Sequence, residues 1–443
     1  MLRRSTVSVA LIVGMILGPT LVASPARGGL ADVVPSLFDE LIILAPPTGD
    51  FPSHETHFVD EGLALQATSQ RLNESLALQL STFPLASSAG GFTYLFDEEL
   101  GVFTRTTDSF GPLFTERAQT LGKGKRNVGF TYLQASYDTL DDLDLQGGDL
   151  EFQLLHQDPA GDDRTDPFFE GDLINTKLYL EVDTETAVFF ASYGLTERFD
   201  VSLAIPVQQV DLDARAELTI DRLATEQIPG IHRFPDGSDT KEFSEGGSAS
   251  GIGDVLLRSK WRFAGEAQNG AALGLDLRLP TGNEDDLLGT GVTQGELFFA
   301  GSTSWGKLGS HLNVGYTASS GGSDVLDDVP DEIDYKLGFD LAVDPRLTLS
   351  AELVGRTLLD ATRVRRVNRE FVFTEGPGGP LSSALRPVVE FEEDDVDILL
   401  GAAGVKMNLR ENLLVSSSFL YSLSDDGLAD DGVILVFGLD YTY

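Results

Sequence analysis

From Lys125 to the C-terminus, apolar and polar side chains alternate with a period of two. The last segment is the clearest: Val433, Leu435, Phe437, Leu439, Tyr441 and Tyr443 occupy every second position. Such alternation marks a strand whose two faces meet different surroundings. Read along the chain, it predicts about twelve strands by the alternation criterion, at 126–139, 174–195, 199–220, 250–264, 271–282, 294–305, 310–319, 332–343, 347–358, 394–408, 413–423 and 432–443. The connectors alternate between short and long. The short ones are Thr196-Glu197-Arg198, Gly265 to Gly270, Gly306 to Ser310, Val343 to Arg346 and Leu409 to Asn412, and the long ones are 141–172, 222–249, 283–293, 320–331, 359–393 and 424–431. Short turns on one side, long loops on the other and an even strand count are the pattern of an outer-membrane barrel.

Parity then divides the wall into two faces. Arg258, Lys260 and Arg262 oppose Leu257, Trp261 and Phe263, while Asp276 and Arg278 oppose Leu273, Leu275, Leu277 and Leu279. Glu296 opposes Leu297 and Phe299; Asp334, Lys336 and Asp340 oppose Ile333, Tyr335, Leu337, Phe339 and Leu341; Glu352 and Arg356 oppose Leu349, Ala351 and Leu353. A charge facing lipid at mid-membrane costs about 2–4 kcal/mol, so these charges are expected to line the lumen. A soluble β-protein shares the alternation but needs no polar interior of opposed charges. Trp261 and Trp305 precede short turns, where an interfacial aromatic girdle belongs. Parity slips predict bulges near Gln208-Gln209 and around Gly401 to Gly404. Pro206 and Pro280 predict bulges or ladder ends. The fold class expected is all-β, an antiparallel transmembrane barrel with an N-terminal plug or hatch region.

The N-terminus sets the compartment. Arg3 and Arg4, an apolar run from Val7 to Val22 and Ser24-Pro25-Ala26 read as a signal peptide over 1–26, cleaved after Ala26 or, alternatively, Ala23. As an anchor the run is short and contains Pro19. The closing aromatics Tyr441 and Tyr443 resemble the signal read by the barrel-assembly machinery. Outer-membrane lipid and lipopolysaccharide are the other expected partners.

Charge and composition narrow the chemistry. Seventy acidic residues against 31 basic give a net charge of −39, which excludes a general nucleic-acid role. The acid concentrates in the long connectors, where it solvates loops, binds divalent cations bridging lipopolysaccharide, or biases a pore toward cations. There is no cysteine, hence no disulfide or thiolate site. No cofactor motif is present: Gly251-Ile252-Gly253 lacks the third glycine and strand-to-helix context of a dinucleotide fingerprint. The histidines are His54, His57, His156, His232 and His311. His54 and His57 have metal-ligand spacing but no third ligand nearby in sequence. His311 has no adjacent serine or acid motif like that of the barrel phospholipases, so no catalytic residue is assigned.

Several motifs carry a family resemblance. They are Gly251-Ile252-Gly253-Asp254, the strand ending Lys260-Trp261, Leu279-Pro280-Thr281-Gly282 with Gly289 and Gly291, the run Tyr193 to Asp200, and Ile205-Pro206-Val207. In order and spacing, over about residues 185–443, these resemble the phenol-degradation meta-pathway family of outer-membrane proteins. The resemblance implies an outer-membrane channel for small, often hydrophobic organic compounds, and brings no binding residues with it; the function expected is passive passage of small hydrophobic or aromatic compounds, gated by the N-terminal plug. A structural or adhesive surface barrel is the alternative, and an outer-membrane hydrolase a further one.

Residues 27–124 precede the barrel, which is expected over 125–443. Segment 57–72 is ambiguous between helix and loop, Leu76, Leu78 and Leu80 alternate like a strand, and Phe92 to Phe96 with Val102 to Arg105 reads as a hairpin. By analogy with long-chain fatty acid transporters, this region is expected to sit inside or beneath the barrel and gate it. The alternative is that it adds two strands to the wall, for about fourteen in all under the even-number rule.

Overall fold

The computed structural model describes residues 29–38, 42–51, 55–81, 87, 91–92, 94–97, 102–105, 109–158, 167–265, 269–326, 328–410, 412–429 and 432–443. The expected signal peptide lies outside them. The barrel strands are β1 (Arg126–Tyr137), β2 (Leu173–Thr196), β3 (Phe199–Asp221), β4 (Val255–Gly265), β5 (Gly270–Leu279) and β6 (Gln294–Trp305). They continue with β7 (Leu308–Ser319), β8 (Glu332–Asp344), β9 (Leu347–Thr374), β10 (Leu381–Arg410), β11 (Leu413–Ser422) and β12 (Ile434–Thr442). Each pairs antiparallel with its sequence neighbours, and β12 pairs with β1 from Leu435↔Gln134 to Thr442↔Asn127. The sheet is therefore a closed twelve-strand meander without an open edge. Tyr94–Asp97 and Val102–Arg105 do form a hairpin, but as a separate two-stranded sheet, so the fourteen-strand alternative falls.

Leu257, Trp261, Leu273, Leu275, Leu277, Leu297, Phe299, Leu312, Val314, Phe339 and Leu349 all point outward and are exposed, forming a belt that a bilayer would cover. Trp261 and Trp305 lie in it toward the short turns.

The predicted bulge at Gln208-Gln209 is absent. β2 and β3 stay in register from Leu173↔Asp221 to Gly194↔Asp200, with Val207 opposite Ala187 and Gln209 opposite Glu185. What changes there is the solvent. Below this rung the outward residues are apolar (Val201, Leu203, Ile205, Val207). Above it the inward ones are (Val210, Leu212, Ala214, Ala216, Leu218), and Asp211, Asp213 and Glu217 face out. The strand has left the membrane and become the wall of a water-surrounded, apolar-cored barrel. The slip expected at Gly401 to Gly404 is likewise absent, since pairing runs unbroken there on both sides. Pro206 does mark a ladder end. β3 pairs β4 up to Ala204 and the auxiliary strand Thr240–Ile252 from Val207, so the residue lacking an N–H sits between the two partners.

The long connectors contain more strand than expected. The 359–393 loop is instead a continuation of the β9–β10 hairpin, paired from Ala361↔Asp394 to Thr374↔Leu381 beyond an irregularity at Leu359 and Asp360. Leu150–Leu155 extends the sheet beside β2.

The apolar core occupies the long-loop half. It contains a short helix α1 (Val33–Ser36) and a long one, α2 (Val59–Ser81), whose Leu65, Leu72 and Leu76 pack with inward residues of the wall such as Leu178, Leu180, Leu212 and Val354. Leu76, Leu78 and Leu80 are thus helical, not a strand. No helix among the described residues is long and apolar enough to cross a membrane.

Candidate functional site

The lumen is the site, and much of it is occupied by the chain itself. Ser81, closing α2, accepts a hydrogen bond on its carbonyl from Arg278 of β5 at 2.9 Å, a cation at a helix C-terminus. Residues 109–121 then run across the barrel toward the short turns, held at many steps by inward side chains. The Phe110 N–H donates to Thr348 of β9 (3.0 Å), and Lys406 of β10 donates to the Pro112 carbonyl (2.7 Å). Glu352 accepts the N–H groups of Leu113, Phe114 and Thr115 at 2.6, 2.9 and 2.7 Å. Further round the wall, Asn313 of β7 bonds both the N–H and the carbonyl of Glu116, Ser302 of β6 takes the Ala118 N–H, and Asp200 of β3 takes that of Leu121. Gly338 of β8 permits the approach: a Cβ there would lie 2.7 Å from the Thr115 hydroxyl oxygen.

Glu116 is the charged centre of this contact. Its carboxylate lies 2.5 Å from Lys260 Nζ and 3.0 Å from Arg258, whose guanidinium also pairs with Asp276. Two cations and two carboxylates therefore balance in a buried cluster, the condition under which burying charge is tolerable.

Above it, a cavity of about 70 Å³ is lined by the cations Arg258, Arg278, Lys336 and Arg356 and the carboxylates Asp276, Glu296, Glu332 and Asp334. Strand register explains the ring. Arg258 faces Asp276, Asp276 faces Glu296, Glu296 faces Thr317 and Thr317 faces Glu332, while Asp334 faces Arg356. A space of this size holds at least a few waters.

All the charges expected from parity lie on the inward face, but they serve different ends. Arg258, Lys260, Arg278 and Glu352 hold the N-terminal segment. Asp276, Glu296, Asp334, Lys336 and Arg356 line the cavity. Arg262 donates to the Glu197 carbonyl in the β2–β3 turn at 3.0 Å, and Asp340 pairs with His311. Asp200, Ser302, Asn313, Thr348, Lys406 and Glu332 were not singled out from sequence, although the same parity finds them. Tyr441 and Tyr443 point outward and stack, with ring centroids 5.7 Å apart.

His311 does have a serine and an acid beside it. Ser302 Oγ is 2.8 Å from Nδ1 and Asp340 Oδ1 is 2.5 Å from Nε2, brought together from three adjacent strands. The order resembles a hydrolytic triad, but Ser302 Oγ also takes the Ala118 N–H and is buried beneath the crossing segment. In this arrangement it anchors the crossing segment.

Two of the motifs behind the family resemblance, at Gly251 to Asp254 and at Leu279 to Gly282 with the glycines beyond, meet in one polar knot. The Asp254 carboxylate accepts the N–H groups of Gly282 and Thr290 at 3.0 and 2.9 Å, and the Thr281 hydroxyl donates to the Gly253 carbonyl at 2.8 Å. They fix the loop after β5 against the start of β4.

No protein-family model matches the chain, and no curated protein does. Solved structures similar to it include the COG4313 outer membrane channel from Pseudomonas putida F1, at 14% identity over 74% of this chain and 98% of that one, with a TM-score of 0.43. A Pseudomonas aeruginosa FadL homologue is similar at 10% identity over 72% and 90%, with a TM-score of 0.31. The Ralstonia pickettii toluene transporter TbuX is similar at 10% identity over 73% and 90%, with a TM-score of 0.26. These likenesses are faint, and the barrel stands on this chain's own strand pairing.

Proposed function

We propose that the protein is an outer-membrane channel for small organic compounds, passive, and gated by residues 29–121. The observation that carries this reading is the seat of Glu116. A peptide segment lies across the lumen, held by side chains rather than built into the wall, so it can leave without breaking strand pairing. The family resemblance supplies the solute class, hydrophobic or aromatic compounds. The ring of four cations and four carboxylates refines it, because a solute passing there must offset desolvated charges. Aromatic or amphiphilic compounds bearing a polar group fit better than bare hydrocarbons.

A sealed structural barrel is favoured by a different observation, the number of hydrogen bonds holding the segment. A reversible lock separates the two. The chain has no cysteine, and a Cβ at Gly338 would fall 2.9 Å from that of Thr115, within about an ångström of disulfide geometry. Thr115→Cys with Gly338→Cys is expected to be silent in planar bilayers when oxidised and to conduct on reduction. Equal conductance in both states removes the gate. Silence in both, and in the parent, establishes the sealed barrel.

A further inference from the structure

Toward the loop end the wall is interrupted beside β9. β8 begins at Glu332, opposite Leu358, whereas β9 continues to Thr374 with β10 as its strand partner. Where β8 stops, Leu359 and Asp360 together oppose the single Asp395, a bulge in which Asp360 takes a left-handed backbone at φ 51°. The connector between β7 and β8 is tied to this bulge, since the Leu359 N–H donates to the Asp331 carbonyl at 2.9 Å. Between the connector, the bulge and α2 lies a cavity of about 740 Å³. It shares no lining residue with the charged lumen cavity. Pockets that hold small organic ligands span about 300–1,000 Å³, so this one has room for a whole molecule.

The lining is divided. Leu78 of α2, Leu326 and Val329 of the connector and Ala361 of β9 are buried and supply an apolar floor. Nearer solvent stand Glu74, Asp328, Asp331, Asp360 and Glu393, against one guanidinium, that of Arg71, among the described lining residues. Local structure assembles them. Arg71, Glu74, Ser75 and Leu78 fall on one face of α2, and Thr362 and Glu393 face each other across the β9–β10 ladder. Arg71 itself stands over the Phe391 ring, 5.7 Å from its centroid. Tyr316 of β7 also lines the cavity, and its hydroxyl donates to Asp331.

This combination discriminates by charge. An anion entering the cavity meets five carboxylates, and a neutral molecule gains only the floor. A molecule with an apolar body and an ammonium group gains the floor and the acidic rim together, at a protein surface where opposite charges attract more strongly than in bulk water. A tyrosine ring at the same opening suits a cation as well.

We propose that this cavity binds an organic ammonium compound, its apolar or aromatic body on the floor and its cationic group among Asp328, Asp360 and Glu393. The ligand would lie against α2, whose last residue, Ser81, carries the contact to Arg278 in the lumen. Binding at this outer cavity stands whether or not the lumen conducts.

The test uses the full mature chain in phosphatidylcholine nanodiscs, with empty nanodiscs as the blank, and probes of similar size: phenethylammonium, phenethyl alcohol and phenylacetate. Saturation-transfer NMR titration is expected to show saturable binding of phenethylammonium, at least about tenfold tighter than that of the alcohol, and none of phenylacetate. Added salt weakens the ammonium and leaves the alcohol unchanged. Asp328→Asn, Asp360→Asn and Glu393→Gln together, at exposed positions where folding is least at risk, reduce the ammonium to the affinity of the alcohol. Thr362→Trp, which fills the cavity, removes both. Absence of saturable ammonium binding in the parent chain overturns the proposal, as does equal affinity for ammonium and alcohol. Ammonium binding that the triple variant leaves unchanged, or that survives Thr362→Trp, overturns it too.

Discussion

Glu352 receives the backbone N–H of Thr115 at 2.7 Å on the same carboxylate oxygen that takes the Thr115 hydroxyl at 2.9 Å. With Leu113 and Phe114 donating as well, one wall residue satisfies three successive N–H groups of a segment that has no strand partner of its own. Hydrogen bonds to a charged acceptor are worth about 1.5–3 kcal/mol each. Glu352→Ala is expected to raise the open probability at least about tenfold in single-channel recordings, the equivalent of losing roughly 1.4 kcal/mol from the closed state. Glu352→Gln, which keeps one acceptor oxygen, gives a smaller rise. Unchanged gating in both variants means the segment does not move.

The Glu116 cluster makes a separate prediction about additivity. Glu116→Gln or Lys260→Met alone leaves one buried charge unbalanced, a loss of about 3 kcal/mol or more. The double variant restores neutrality. Urea unfolding in lipid vesicles should show the double variant less destabilised than the sum of the singles by at least about 1 kcal/mol. Additive losses would mean that water screens the cluster.

At the loop end, Asp141 is buried and accepts the N–H groups of Val364 at 2.7 Å and Gly427 at 2.8 Å. Burial, its largest influence, raises its proton affinity above the ordinary 3.8, with the two N–H groups and Arg363 opposing. A carboxyl raised on folding stabilises fully below its unfolded value, and that contribution disappears as pH rises through the folded one. Asp141→Asn keeps an acceptor and suits the left-handed backbone there, φ 50°. Thermal unfolding from below pH 3.8 upward should show a falling stability in the parent that is flattened in Asp141→Asn. Identical slopes would show that Asp141 does not couple to folding.

The change of surroundings between the outward belt, here on β5, and the outer part of β3 can be measured with one residue type. Leu275→Arg, in the outward belt, should cost about 2–4 kcal/mol in vesicle refolding. Asp211→Arg, above the rung of Val207, should cost within about 0.5 kcal/mol of nothing, as surface changes do. Equal costs would place the membrane boundary elsewhere.

The wall was legible because a bilayer outside and charges inside force a period of two, and parity alone identified the inward face. It misread positions where the surroundings changed and the pairing did not. Val207 to Val210 exchanges lipid for water, which mimics a bulge. In the outer β9–β10 hairpin both faces carry charge, and ion pairs such as Arg365–Glu392 at 2.9 Å and Arg369–Glu390 at 2.5 Å make strands read as an acidic loop. The end of α2 is buried on nearly every side, so Leu76, Leu78 and Leu80 show no helical face. In the lumen, Arg258 and Lys260 announced themselves, but their partner Glu116 lies in a segment without periodicity. Only the folded chain joins them.

The path of the N-terminal region has a topological consequence. Residues 42–51 and 55–58 lie at the loop end, Lys125 lies at the turn end, and α2 and residues 109–121 lie between them inside the closed ring. Because the chain joins the wall at Lys125, a segment released from the lumen would stay tethered to the ring it had filled, and no strand pair would have to part for it to return.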